Sequence, residues 1–266
     1  MQTEFKNYLK LNVNSSNTVN KYSKIMILFF KKYTEFSQEN INKYLTSLID
    51  DKISSSTFNV RLCAFKQYDT FKDTKIMFPK QRKVARTIKP SLSRDEIENE
   101  ILPYFDSIFQ DSEKRKLVFR FMMLTMLRIS EVITLKIKDI DFKSHRINVI
   151  GGKGGKNRVT FLHKSITDDL QKEIINSNRE NVFNIKQGYI EYMFLQIKQN
   201  LNYKKNITPH TLRHAGALHF YETTHDMKGL QEILGHESIA TTENYIRGYQ
   251  LNKIQEQYNK MEYKKG

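Results

Sequence analysis

These 266 residues predict a mainly α-helical protein of two domains, the second of which carries a small β-sheet. Three observations predict it. Apolar residues recur with helical spacing through the first quarter of the chain. A glycine-rich turn at residues 151–155 lies between two short extended runs. Between these two patterns, a basic stretch that contains Pro79 and Pro90 has no helical period.

The first domain, residues 1–74, reads as a bundle of about four helices. Phe5, Tyr8 and Leu9 mark the first, and Val19, Tyr22, Met26, Phe29, Phe30 and Tyr33 the second. Ile41, Tyr44, Leu45, Leu48 and Ile49 fall at i, i+3, i+4, i+7 and i+8, while Phe58, Leu62 and Phe65 follow the start signal Ser54-Ser55-Ser56. The aromatic residues at these spacings read as core rather than as platforms for stacked bases. Lys24, Lys31, Lys32, Lys43, Lys52, Arg61 and Lys66 are the better candidates for phosphate contacts.

Residues 75–92 read as a basic linker, because Lys75, Lys80, Arg82, Lys83, Arg86 and Lys89 follow one another with no acid between them. Of these, Lys80, Arg82, Lys83 and Arg86 are candidate DNA contacts. Ser93-Arg94-Asp95-Glu96 then forms a capping box: Ser93 can accept from the Glu96 amide while the Glu96 carboxylate answers back. A second domain, residues 93–249, starts there.

Within that domain Ile97, Ile101, Leu102 and Phe105 mark one helix, and Leu117–Leu127 a second that is apolar nearly all round and must be buried. Residues 146–150 and 158–162 read as a β-hairpin with lysines at its tip. Helices are expected at about 165–176, 188–201, 210–224, 227–234 and 239–246. A C-terminal helix over residues 250–266 carries Leu251, Ile254, Tyr258 and Met261 as an apolar stripe that needs a partner.

Composition narrows the function. Forty-four Lys and Arg against 29 Asp and Glu give a net charge of +15, which points to a polyanion and first to nucleic acid. About two thirds of that charge lies in residues 1–90. Cys63 is the single cysteine, so a disulfide framework within the chain and cysteine-rich zinc modules are excluded. The first ten residues hold Glu4 and no apolar run, and the longest early run, Ile25–Phe30, is far short of the roughly 18 residues of a membrane span. A cytoplasmic, nucleoid-associated protein without a membrane segment is expected.

Four segments carry the chemistry: Leu127-Arg128-Ile129-Ser130-Glu131; Gly152-Lys153-Gly154-Gly155-Lys156-Asn157-Arg158; Thr208-Pro209-His210-Thr211-Leu212-Arg213-His214; and Leu234-Gly235-His236, with Tyr245 nine residues on. His210 and Arg213 are three apart on a predicted helix, so an imidazole and a guanidinium share a face and can converge on one anion. His236 and Tyr245 would lie on opposite faces of a continuous helix, about 900° of rotation apart. The helix must therefore break, with Gly235 as the stop and Ser238 as the new N-cap. His210 and His214 do not read as a metal pair, since no glutamate of a zinc protease motif stands between them and Arg213 does.

In this order and at these intervals, the four segments resemble the catalytic signature of the tyrosine recombinases, the phage-integrase family that includes the Xer-type enzymes, over residues 93–247. The resemblance implies a helical core-binding domain before a mixed α/β catalytic domain. It implies Tyr245 as the nucleophile that leaves a 3′-phosphotyrosyl link, Arg128 and Arg213 as a charge clamp, and Lys153 as the proton donor to the leaving 5′ oxygen. His210 and His236 would bond the phosphate and assist proton transfer, with Glu131 orienting Arg128 or His210 from behind. Lys156 and Arg158, near the same turn, are alternative phosphate contacts.

The resemblance also implies double-stranded DNA with inverted-repeat core sites as substrate, a homotetramer on DNA, and no metal or nucleotide cofactor. It leaves open any accessory protein. Xer-like dimer resolution leads over integration, excision or inversion. A type IB topoisomerase and a catalytically silent DNA-binding regulator are the rival readings. Met126 departs from the family pattern, which often has glycine there, and is expected to perturb helix packing rather than chemistry.

Overall fold

The computed structural model describes residues 2–84, 92–151, 157–175, 177–201 and 207–243, with Ile246, Arg247, Tyr249, Ile254, Tyr258 and Lys260. The chain divides into two compact units, Met1–Thr87 and Ile88–Gly266.

The first unit is a bundle of four helices: α1 (Gln2–Asn12), α2 (Ser16–Lys32), α3 (Gln38–Asp50) and α4 (Ser55–Lys72). A serine opens each of the last three. Ser15, Ser37 and Ser54 accept from the backbone amides of Thr18, Asn40 and Thr57, which satisfies donors that a first helical turn leaves orphaned. The predicted stripes meet inside: Phe5, Leu9, Met26, Phe29, Ile41, Leu45, Phe58, Leu62 and Phe65 are all buried. Phe29 lies at the middle of an aromatic cluster, with Tyr33, Tyr44 and Phe65 ring centroids 5.1–5.6 Å away, so these rings hold the bundle together rather than offering faces to bases. Arg61 is likewise committed, donating to the Tyr44 hydroxyl at 2.7 Å.

Residues 75–84, expected as the start of a linker, are irregular but fastened to this bundle. Gln38 on α3 exchanges two hydrogen bonds with the Met77 backbone, and Asn59 on α4 two with the Arg82 backbone. The Arg82 guanidinium lies 4.3 Å above the Phe58 ring. Lys80 and Lys83 remain exposed. Arg86 falls outside the described residues.

The second unit opens with the expected capping box: the Ser93 amide donates to the Glu96 carboxylate at 2.7 Å, and the Glu96 amide to the Ser93 hydroxyl at 3.1 Å. The single helix expected next is instead a composite. Glu96–Ile101 is wound as a π-helix, Leu102–Tyr104 as a 3₁₀ turn across Pro103, and α5 (Phe105–Ile108) is one α-turn. The proline has no amide to donate, and the changes of pitch still bury Ile97, Ile101, Leu102 and Phe105.

At the centre is α6 (Ser112–Thr125), whose Val118, Phe119, Phe121 and Met122 are almost inaccessible. After it come α7 (Ile129–Thr134) and three antiparallel strands in the order β1 (Ile140–Asp141), β2 (Arg146–Val149), β3 (Arg158–Phe161). The β2–β3 register pairs Arg146 with Phe161 and Val149 with Arg158. Further along the chain come α8 (Thr167–Ile175), α9 (Gln187–Asn200), α10 (Pro209–Thr224) and α11 (Met227–Leu234).

Two contacts set β3 and α10 against the central helix. The Thr160 hydroxyl of β3 donates to the Thr125 carbonyl at the end of α6, tying sheet to helix. On α10, a Cβ at Gly216 would lie 2.0 Å from the Met123 carbonyl oxygen, so only glycine allows α10 to lie this close to α6.

Candidate active site

Arg128 is the N-cap of α7, and Glu131 stands three residues on, where its carboxylate reaches back to the Arg128 amide at 2.8 Å. The same carboxylate accepts from the Arg128 guanidinium at 2.8 Å. The Leu-Arg-x-Ser-Glu string is thus a helix start in which one acid both caps the helix and fixes the arginine.

Arg213 enters from α10. Thr208 caps that helix and Pro209 supplies its first turn, where a missing amide costs nothing. The Arg213 side chain is 3% exposed, donates to the Met126 carbonyl at 2.5 Å and the Leu234 carbonyl at 2.7 Å, and lies 3.8 Å from Glu131. It therefore joins the C-terminal ends of α6 and α11. Each terminal guanidinium nitrogen carries two hydrogens, so bonds to these carbonyls are compatible with bonds to an anion. His210, one turn earlier on α10, is at the surface.

Met126, which accepts from Arg213, has φ of +53° and caps α6 in the left-handed conformation. Glycine adopts this without strain, which accounts for the glycine often found here in the family pattern: methionine is a strained backbone choice. Its side chain is buried in a small core with Ala217, Leu230, Ile233, Leu234 and Ile246. The residue touches the site through its carbonyl as well as through packing.

The break between α11 and the next helical segment falls where the motif requires. Gly235 caps α11 at φ of +62°, and residues 239–243 are helical again, with the Ser238 hydroxyl accepting from the Ala240 amide. In the bend between them, the His236 amide donates to the Gln231 carbonyl and the Gln231 side-chain amide donates to the His236 carbonyl. Its Nδ1 is 3.0 Å from the Thr242 hydroxyl, which is fully buried. Sequence reasoning missed Thr242; a lone threonine six residues beyond His236 carries no signal of its own.

Arg158 requires correction. Expected near a lysine-bearing turn as a phosphate contact, it instead starts β3 and turns inward. Its two terminal nitrogens donate to both Glu131 oxygens at 2.7 Å, and its Nε to the Ile233 carbonyl at 2.8 Å. Its side chain is 9% exposed. Its guanidinium thus faces α7 and α11 rather than standing out from the hairpin. Lys153, Lys156 and Tyr245 lie outside the described residues.

Electrostatics follow from this packing. Burial alone would raise the Glu131 carboxyl, but the bonds from Arg158 and the Arg128 amide outweigh it and bring it down to about 2. His236 is lowered to about 4, by burial first and then by the charges of Arg213, Arg128, Arg158 and His210. It is a neutral imidazole at neutral pH. Three arginines around one carboxylate leave a positive excess, which an incoming anion would relieve.

This pH dependence has a definite sign. Between pH 6.5 and about 4 the unfolded chain holds a proton on residue 236 that the folded chain refuses, so stability falls as pH drops through that window. Glu131 adds a further loss from pH 4.5 towards about 2. NMR titration of the ring should place the His236 midpoint near 4, and His236→Asn should flatten the upper part of the acid unfolding profile. A midpoint near 6.5 would show an unburied ring.

A helical bundle, a mixed α/β unit and an arginine cluster with a histidine beside it describe a protein with a site suited to an anion. The chain belongs to the phage integrase family, whose model matches residues 90–251. It is a Xer-like tyrosine recombinase, a site-specific DNA recombinase. It is 30% identical to tyrosine recombinase XerA of Thermococcus onnurineus, over 92% of this chain and 89% of that one. It is 28% identical to XerA of Pyrococcus horikoshii, over 92% and 87%. In fold it is similar to the XerH site-specific recombinase bound to palindromic difH substrate (TM-score 0.71, 20% identity, 91% and 80% covered) and to a lambda integrase tetramer bound to a Holliday junction (0.68, 16%, 91% and 76%).

Proposed function

We propose that this chain cleaves and rejoins DNA with Tyr245 as nucleophile and the Arg128–Arg213 cluster as the phosphate site. The observation that carries the reading is the positive excess around Glu131: Arg128, Arg158 and Arg213 all lie within 4 Å of its carboxylate, with His236 near them. Catalysis at a diester needs its extra oxygen charge stabilised, a nucleophile, and a proton for the leaving oxygen. The arginines supply the first. The Tyr245 oxygen forms a bond to phosphorus as the bond to the 5′ oxygen breaks. The tyrosine proton passes to an acceptor, His210 and His236 bond the phosphate and assist proton transfer, and Lys153 protonates the departing 5′ oxygen. Because the phosphotyrosyl ester keeps the bond energy, a 5′-hydroxyl from another strand reverses the step and joins new partners. No nucleotide or metal enters this balance, and cleavage should persist in chelator.

The substrate is double-stranded DNA with paired inverted-repeat core sites, and the working assembly is a homotetramer, since exchange of four strands takes four nucleophiles. Residence in the cytoplasm with the nucleoid follows from that substrate; no described helix is long and apolar enough to cross a membrane. We place Xer-like dimer resolution ahead of integration, excision or inversion. Sequencing beside the gene should reveal the half-sites. A supercoiled plasmid with two such sites should give rearranged circles, whereas relaxed topoisomers would mean a type IB topoisomerase and shifted, uncut DNA a silent regulator.

Exposed Lys80 and Lys83 contact phosphate in this reading. Neutralising both should weaken binding to all sequences alike and lower the salt slope by roughly 0.9 per lost contact. A loss confined to the cognate site would mean that they read bases. Ile254 and Tyr258, members of the C-terminal stripe, are 57% and 71% exposed, which supports docking on a neighbouring protomer; Leu251 and Met261 lie outside the described residues. Truncation after Arg247 should spare single-site binding and abolish cooperative assembly on two sites. Loss of single-site binding with cooperativity retained would assign the tail to its own core.

A further inference from the structure

The arginine charge clamp has a support that its own motif does not contain. Arg158 ties its own strand to two other elements at once. From the start of β3 it fills both oxygens of Glu131 on α7, and its Nε holds the carbonyl of Ile233 in the last turn of α11. The Glu131 carboxylate so fixed is the one that orients Arg128. The last turn of α11 so fixed is the one from which the His236 bend departs, and its Leu234 carbonyl receives Arg213.

The fit is close on every side. A Cβ on Gly235 would lie 2.6 Å from the Arg158 Cδ and 3.2 Å from its Nε, so the glycine of the Leu-Gly-His string leaves room for this side chain as well as capping α11. Lysine could not replace Arg158, because one ammonium cannot span two carboxylate oxygens and a carbonyl on the far side. Arg158 also opens β3, and it stands five residues after Lys153 and two after Lys156 in the sequence.

We infer that Arg158 is a positioning residue of the recombination site, which locks Glu131 behind Arg128 and pins the α11 end that carries His236, and that it makes no contact with DNA. The inference rests on the reading of this cluster as the phosphate site. It assigns the residue to catalytic geometry rather than to affinity, and the two roles separate experimentally.

The test uses the full-length protein with Arg158→Lys and Arg158→Gln, read by thermal unfolding, salt-dependent binding to the recombination site, single-turnover cleavage of a nicked substrate, and NMR titration of His236. Both variants should bind DNA within about twofold of wild type, with an unchanged salt slope. Both should cleave at least about tenfold more slowly, the low end for removing a partner that orients an active-site group. Arg158→Gln, which removes a charge acting on His236, should raise the His236 midpoint in the absence of DNA, while Arg158→Lys should move it less.

A salt slope lower by roughly 0.9 with cleavage restored at saturating enzyme would make Arg158 a phosphate contact and overturn the proposal. Wild-type cleavage by folded Arg158→Gln would overturn it equally. If Arg158→Lys fails to fold, the residue serves the fold alone and the positioning role is lost. The His236 titration needs no DNA, so a failure of the phosphate-site reading, seen as near-normal cleavage by Arg128→Lys and Arg213→Lys, is distinguishable from a failure of this one.

Discussion

Tyr245→Phe is expected to bind its recombination site with wild-type affinity and to form no covalent complex with DNA. The substitution removes one oxygen and nothing else of size, so packing around the ring is kept while the nucleophile is lost. Its neighbour Ile246 is fully buried in the small core with Met126, Leu230 and Leu234, which gives the segment an anchor that the substitution does not touch. A gel shift paired with a nicked suicide substrate checks both halves. Covalent product from Tyr245→Phe would remove the tyrosine from the mechanism.

A second large loss is expected at the arginines. Arg128→Lys and Arg213→Lys keep the charge but lose the planar fork, and each should slow cleavage on the order of 100- to 1000-fold, the usual cost of removing a donor that meets charge in a transition state. The two should differ in stability. Arg213 is almost wholly buried, and its loss leaves the Met126 and Leu234 carbonyls without their donor, at about 1–3 kcal/mol for each one left unsatisfied. Arg128 is 27% exposed on the side chain and its lysine variant should melt close to wild type. Near-normal single-turnover rates for both variants would contradict the clamp.

The helices are legible in the sequence because their signals are local. Three serine caps, the Ser93–Glu96 box and the glycine stop at 235 each act within a few residues, and the break between His236 and Tyr245 follows from helical rotation alone. The features that are not legible depend on partners far along the chain or on winding that leaves the pattern unchanged. The π-helical winding at Glu96–Ile101 buries the same apolar residues that an α-helix would, so periodicity cannot tell them apart. Strand β1 has two residues, too few for an alternation. Arg158 reads as one more cation near a basic turn because its partners, Glu131 and Ile233, stand 27 and 75 positions away. Residues 75–84 read as a linker because the side chains that fasten them, Gln38 and Asn59, belong to helices recognised by their apolar faces.

The site shows the same division. Residue types at motif spacing announce Arg128, Glu131, His210, Arg213 and His236, and the fold brings Arg128, Glu131 and Arg213 together with His236 beside them. The motif does not announce the frame that holds them: the left-handed Met126 whose carbonyl receives Arg213, the buried Thr242 beside His236, and the inward bonding of Arg158. These are backbone and long-range contacts, which one-dimensional spacing does not encode.

On the proposed mechanism, everything turns on Tyr245 attacking a phosphate held by Arg128 and Arg213. Wild-type protein trapped on a nicked suicide substrate in the presence of chelator can be digested and the adduct mapped by mass spectrometry. One modified peptide is expected, with a DNA 3′-phosphate on Tyr245 and a free 5′-hydroxyl on the released strand. A 5′ linkage, an adduct on Tyr249 or any other residue, or a requirement for added metal ion would contradict the mechanism.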